Sequence, residues 1–224
     1  MQTCFPPWKR INLNVSFSSG LVFKAFDYRG RDVADRERRK ADLSVQFIPG
    51  CKRIVDCADL VVISYPVLAG GHVPSIVGHY VHLIESISLV HAQGKIHGDI
   101  RASNIIFGEG GSATLIDFDL SGDETHTYPK GFNKDIEDGK RHCRATAERK
   151  LEFQHDWYAL DALMGMAQVR DEIQDLWKNA RILVSQGDFD GALKLLGPHS
   201  EKPLTFSLEN VEEPKGTGSP PRNA

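Results

Sequence analysis

An α+β fold is predicted by three observations: two short hairpins with alternating or apolar strands, a long amphipathic helix between them, and a nearly all-round apolar helix after the second. Polar and apolar residues alternate from Ile11 to Phe17 (I-N-L-N-V-S-F), Ser18-Ser19-Gly20 makes a turn, and Leu21 to Phe26 returns as a second strand. Arg29 to Lys40 is dense in charge, with Asp32, Asp35 and Glu37 preceding Arg36, Arg39 and Lys40 at helical spacings, which predicts a short, solvated helix. Val61 to Val67 is a β-branched run ended by Pro66 and Gly70-Gly71, the profile of a buried strand leading into a bend. From Pro74 to Gln93, apolar residues recur every three or four positions and Gly94 supplies a stop, the clearest helix in the chain.

Asn104 to Phe107 and Ala113 to Phe118 are short apolar runs joined by the glycine-rich Gly108 to Ser112, a second hairpin. Charge and turn residues dominate 119–150, and Leu151 to Val169 then predicts a buried helix. Two weaker helices, Glu172 to Gln186 and Phe189 to Leu196, lead to a tail from Pro198 whose composition predicts disorder.

The chain has 224 residues, enough for one domain or two small lobes, and its charged fraction of 25% is that of a globular protein. A net charge of -3 argues against nucleic acid and anionic membrane as partners. Cys4, Cys51, Cys57 and Cys143 form no Cys-x-x-Cys pair, so neither a zinc site nor a disulfide framework is predicted, and a reducing compartment is the default. No signal peptide or apolar span is read, which predicts an intracellular protein, cytoplasmic or nuclear.

Chemistry concentrates in His97-Gly98-Asp99-Ile100-Arg101-Ala102-Ser103-Asn104 and in Asp117-Phe118-Asp119. Asp99, Asn104 and Asp117 flank short strands, a layout able to gather a carboxylate base and oxygen ligands for a hard cation such as magnesium. The histidines His79 and His82 have a metal-like spacing but no third ligand nearby, so a helix-surface pair is expected. Arg141 and His142 are candidates for contact with phosphate or substrate, or a plain basic loop.

At these residues the chain resembles the protein-kinase-like superfamily, whose catalytic loop reads H-x-D-x-x-x-x-N and whose metal motif begins Asp-Phe. The preceding helix ending in His91, the hinge-like Val61 to Leu68, and His155-Asp156-Trp157-Tyr158 fall in the family order, over roughly Leu21 to Val169. The wording I-H-G-D-I-R-x-S-N-I-I-F, L-I-D-F-D-x-S-G, Y-P-x-G-F-N, D-G-x-R-H and H-D-W looks most like fungal kinase-like proteins and the kinase domains of Crinkler-type effectors; aminoglycoside and choline phosphotransferases are a more distant likeness. Four departures stand beside it. No G-x-G-x-x-G precedes the hinge, Asp119 replaces the Gly of the metal motif, Gly98 stands where many kinases have Arg, and no A-P-E precedes Asp156.

The resemblance implies a protein-kinase-like two-lobe fold: 1–68 a reduced β-rich N-lobe with its hinge strand, 69–197 a mostly helical C-lobe, and 198–224 a disordered tail. It implies ATP and Mg2+ as cofactors and transfer of the γ-phosphoryl group to a protein hydroxyl by an atypical Ser/Thr kinase; a small-molecule phosphotransferase and an inactive pseudokinase acting as a binding module are the alternatives. Asp99 would be the base, Arg101 would steady the transferred group, and Asn104 and Asp117 would hold magnesium. Lys24 would clamp phosphates and pair with Glu37, backbone groups at Tyr65 and Val67 would take adenine, and Asp156 would pin the catalytic loop.

Overall fold

A computed structural model describes residues 15–27, 31–58, 60–132 and 141–206; for 27, 31–36 and 206 it describes the backbone alone. The fold is α+β, with five helices among the described residues and small antiparallel sheets. The first hairpin is β1 (Val15–Ser18) and β2 (Leu21–Asp27), turned by Ser19 and Gly20 at positive φ. Its expected start at Ile11 to Asn14 lies outside the described residues. Helix α1 (Arg31–Phe47) follows, then β3 (Lys52–Asp56) and β4 (Leu60–Pro66), and the sheet runs β1-β2-β4-β3. Lys24 faces Ile63 across the central β2–β4 pair.

Helix α1 corrects the expectation of a short, solvated helix. It continues to Phe47, because Ala41, Leu43, Val45 and Phe47 extend the charged stretch with a face that packs on the core. The edge strand β3 was not predicted: all five of its residues are exposed, so it carries no apolar alternation to read.

Helix α2 (Val77–Ala92) is the centre of the main core, with Val77, Leu83, Ile84 and Ile87 wholly buried. Each such side chain contributes about 1.5–3 kcal/mol relative to exposure. Gly94 closes the helix at φ 67, its N–H donating 2.8 Å to the His91 carbonyl. Of the expected surface pair His79 and His82, only His82 is exposed. His79 is buried, accepts the Ser75 N–H at 3.0 Å and donates from Nε2 to the Gly108 carbonyl at 2.8 Å; His82 Nδ1 lies 2.8 Å from the Ala113 carbonyl. Both therefore tie α2 to the second hairpin, β5 (Ile105–Phe107) and β6 (Ala113–Leu115).

Helix α3 (Phe153–Met166) is the buried helix expected after residue 150, and it ends early because Ala167–Val169 leaves it as strand β7. The weaker helices are α4 (Gln174–Ser185) and α5 (Phe189–Leu196), the latter capped by Asp188 Oδ1, which accepts the Gly191 N–H at 2.9 Å. The tail is ordered further than composition suggested. Leu204–Phe206 forms β8, pairs antiparallel with β7 and buries Leu204; only 207–224 lie outside the described residues. No helix among the described residues is long and apolar enough to cross a membrane.

Candidate active site

The loop from Ile96 to Asn104 is fixed from below. Asp156, on the first turn of α3 and 1% exposed, accepts the His97 N–H on Oδ2 and the Gly98 N–H on Oδ1, both at 2.8 Å. His91 Nε2 adds a third contact at 3.0 Å. Burial alone would raise the Asp156 pKa, but the His91 hydrogen bond and charge, with the loop amides, hold it below the usual carboxylate range. The expected pinning of the loop is thus present in atomic detail. Gly98 sits at φ 77, and a Cβ there would stand 2.9 Å from the Leu120 carbonyl oxygen and 3.1 Å from Leu151. Backbone and space together explain why glycine, and no arginine, precedes Asp99.

Asp99 is 7% exposed and held on both oxygens. Asn104 Nδ2 donates to Oδ2 at 2.8 Å and to the Asp99 carbonyl at 3.0 Å; Arg141 Nη2 donates to Oδ1 at 2.6 Å; Arg101 Nε lies 3.3 Å from Oδ2. Because two acceptors demand the amide nitrogen of Asn104, its carbonyl oxygen Oδ1 is the atom left for a cation. Arg141, read from sequence as a candidate for phosphate or substrate contact or as a plain basic loop, is the guanidinium beside the proposed base. Its planar group lies 4.3 Å over the Phe132 ring, which stacks on Tyr128 with centroids 4.2 Å apart.

A second charged group surrounds Lys24. Its Nζ lies 2.7 Å from Asp117 Oδ1 and 2.6 Å from Asp119 Oδ1. The buried Asp119 oxygen thus shares this ammonium with Asp117. Asp117 occupies the left-handed region at φ 62, which turns its carboxylate out of the strand end toward Lys24. Phe118, fully buried, anchors this turn between Phe47 of α1 and the His97 ring, at centroid distances of 5.8 and 4.8 Å.

Two carboxylates share one ammonium, and their pKa values diverge accordingly. Burial disfavours the charge of Asp117, yet Lys24, with His97 and Arg101 further off, brings it below the ordinary value. For Asp119 burial prevails over Lys24 and the Asp117 charge adds to it, so its carboxyl is pushed up. Lys24 is raised, since the two carboxylates outweigh its desolvation.

The expected pairing of Lys24 with Glu37 is not formed. Glu37 pairs with Lys40 at 2.6 Å on its own helix, one turn on, and Lys24 is taken by the aspartates instead. The Val67 N–H donates to the Gly20 carbonyl at 2.8 Å, because β2 and β4 stay paired to Leu21 and Pro66 and carry the chain into the Ser19-Gly20 turn; this amide is committed within the protein. Tyr65 lies on β4 opposite Val22, close enough to feel the charges of Lys24 and Asp117, with burial raising its hydroxyl pKa.

Asp117, Asp119 and Asn104 offer oxygen donors of the kind a hard divalent cation takes. Among the described residues no group of three or more His, Cys, Asp or Glu side chains is arranged to hold a metal by protein ligands alone. Magnesium sites that share their ion with phosphates need no such cage. No protein-family model matches the chain, and no curated protein matches it.

Proposed function

We propose that this chain is an ATP- and magnesium-dependent phosphotransferase of protein-kinase-like two-lobe form, acting as an atypical Ser/Thr kinase on a protein hydroxyl. The observation that carries the reading is the loop itself: Asp99 and Asn104 joined by a 2.8 Å hydrogen bond, on backbone amides held by buried Asp156, with Asp117 facing Lys24. The sheet order β1-β2-β4-β3 among the described residues, with α1 between β2 and β3, supports a small β-rich N-terminal lobe. Phosphoryl transfer asks for position and charge neutralisation more than for covalent chemistry.

In this reading Asp99 orients the acceptor hydroxyl and takes its proton, Lys24 draws the non-transferred phosphates, and Arg101 faces the charge of the transferred group. Asp117 and Asn104 Oδ1 hold magnesium, which supplies neutralisation of phosphate charge when bound. Glu37 has no part in it. A second reading, an inactive binding module, is favoured by one observation: both oxygens of Asp99 are already engaged, one by Arg141 and one by Asn104.

Thermal shift with ATP and magnesium, then phosphate transfer to mixed protein and to small alcohols, separates the possibilities. Magnesium-dependent stabilisation with transfer to protein is the expected result. Stabilisation without transfer to any acceptor leaves the binding module, and no stabilisation by nucleotide removes the kinase reading.

A further inference from the structure

Asp119 stands where the metal motif of the resembled family has glycine, and the proposed transfer gives it no part. The backbone does not ask for glycine there. The left-handed residue of the turn is Asp117, at φ 62, and Asp119 lies inside the short 3-10 turn Phe118–Leu120 without a positive φ. Its Oδ1 is buried and lies 2.6 Å from the Nζ of Lys24, a lysine only 7% exposed on the interior strand β2.

A lysine that meets phosphate needs a counter-charge that stays with it. The other anion on Lys24, Asp117 Oδ1 at 2.7 Å, belongs to the carboxylate assigned to magnesium, and an ammonium and a divalent cation repel when they compete for one carboxylate. Glu37, the acid that sequence order offered, lies 2.6 Å from Lys40 on its own helix. Lys40 is also the second cation whose charge Asp119 feels, and Glu37 already holds it. Among the described residues, Asp119 is therefore the carboxylate left to Lys24 once Asp117 serves a metal. It holds the lysine from the metal-motif turn, two residues from Asp117 and across the buried Phe118, and not from α1.

We propose that Asp119 is the positioning residue of Lys24: it keeps the ammonium in place to meet the non-transferred phosphates of the nucleotide, the part expected of Glu37. The phosphate-facing role rests on the reading of the previous section; the Lys24–Asp119 pair does not. Lysine and metal ligand are then tied to one turn, and the lysine needs no acid from α1.

Calorimetric titration of ATP with magnesium into the nucleotide-free chain, in a cycle of Lys24→Met and Asp119→Asn, tests the role. Asp119→Asn should weaken binding about tenfold where Lys24 is present, with Asp119→Glu partly restoring it and Glu37→Gln within about twofold of wild type. In the Lys24→Met background the same Asp119→Asn change should not weaken binding, because an unpaired carboxylate there only repels phosphate. A purely structural residue, or a magnesium ligand, loses affinity in both backgrounds. Equal losses therefore overturn the proposal, as does a Glu37→Gln loss as large as that of Asp119→Asn.

Urea unfolding of the same four nucleotide-free proteins reads the pair by itself. Asp119→Asn should lower the midpoint when Lys24 is present and not when it is methionine; additive losses overturn the pairing. A wild type that does not bind magnesium-ATP ends the phosphotransferase reading and the phosphate-facing role together, while the urea cycle still decides the pair. An uncoupled Lys24 and Asp119 in a chain that binds magnesium-ATP ends the proposal and leaves that reading standing.

Discussion

Two charged groups meet around the catalytic-type loop, made of the same chemistry in opposite proportion. Around Lys24, one ammonium faces two carboxylates; around Asp99, two guanidinium groups face one. The first is short of positive charge and its second aspartate is pushed toward the neutral form, whereas in the second both oxygens of the one carboxylate are held. A buried charge balance that does not close is costly unless a ligand completes it. The difference teaches that the Lys24 group leaves carboxylate charge uncompensated, whereas the single carboxylate of the Asp99 group is already held on both oxygens.

The largest test strikes the second group. Asp99→Asn keeps the shape and the Asn104 contact on one side, and should lower phosphotransfer by about 10²- to 10⁴-fold while ATP affinity changes little. Initial rates over a range of ATP concentrations read kcat and KM separately; an equal loss in affinity would merge the two groups into one. Asp117→Asn strikes the first group and should weaken magnesium-dependent nucleotide binding by about tenfold or more, seen as a lost ATP-induced rise in Tm. An unchanged rise would remove Asp117 from the metal.

Asp156→Asn undercuts only the Asp99 side. One acceptor oxygen becomes an NH2 group facing a loop amide, at a cost of about 1–3 kcal/mol in urea unfolding. The Lys24 group has no bond to Asp156, so nucleotide stabilisation should survive while transfer falls. Loss of both would show the groups to be mechanically one.

The smallest effect is in pH. Burial lowers the His155 pKa to about 4, with His142 and Arg144 acting the same way and Glu152 and Asp156 opposing. The unfolded chain takes up this proton from about pH 6.5 downward while the folded chain does not until about 4, so the stability is complete above 6.5 and declines between 6.5 and 4. Wild type should lose a few degrees more Tm than His155→Gln over that window. Parallel curves would mean that the ring is protonated in the folded state.

Much of the site was legible because its residues lie close in sequence. The Asp99 to Asn104 spacing, the Asp-Phe turn and Asp156 are marked by residue type and order, and local turns then bring Asn104 onto Asp99. The hairpins and α2 were legible for the same reason, since their periodicity is local. What escaped was set by distance along the chain. Arg141 reaches Asp99 across 42 positions, and His155 reaches Tyr128 across 27. Glu37 was misassigned because a neighbour one helical turn away, Lys40, outcompetes a lysine on another element. The exposed edge strand β3 and the short pair β7–β8 hold too few apolar residues to announce themselves.

The segment behind β8 also ties the chain's order of synthesis to its architecture. The first amides of α2 find their acceptors far ahead: Val77 N–H donates to the Lys202 carbonyl at 2.9 Å, Gly78 N–H to the Ser200 carbonyl at 2.7 Å, and Leu204 N–H returns to the Ser75 carbonyl at 2.8 Å. A helix start without such partners leaves orphan donors. The central helix, made early, therefore waits on a ribosome for more than a hundred further residues before its N-terminus is closed, and contacts of this separation form late and slowly. Until then the opening turn of α2 frays, and the nascent lobe keeps the face that Leu204 later covers open to water and to chaperones.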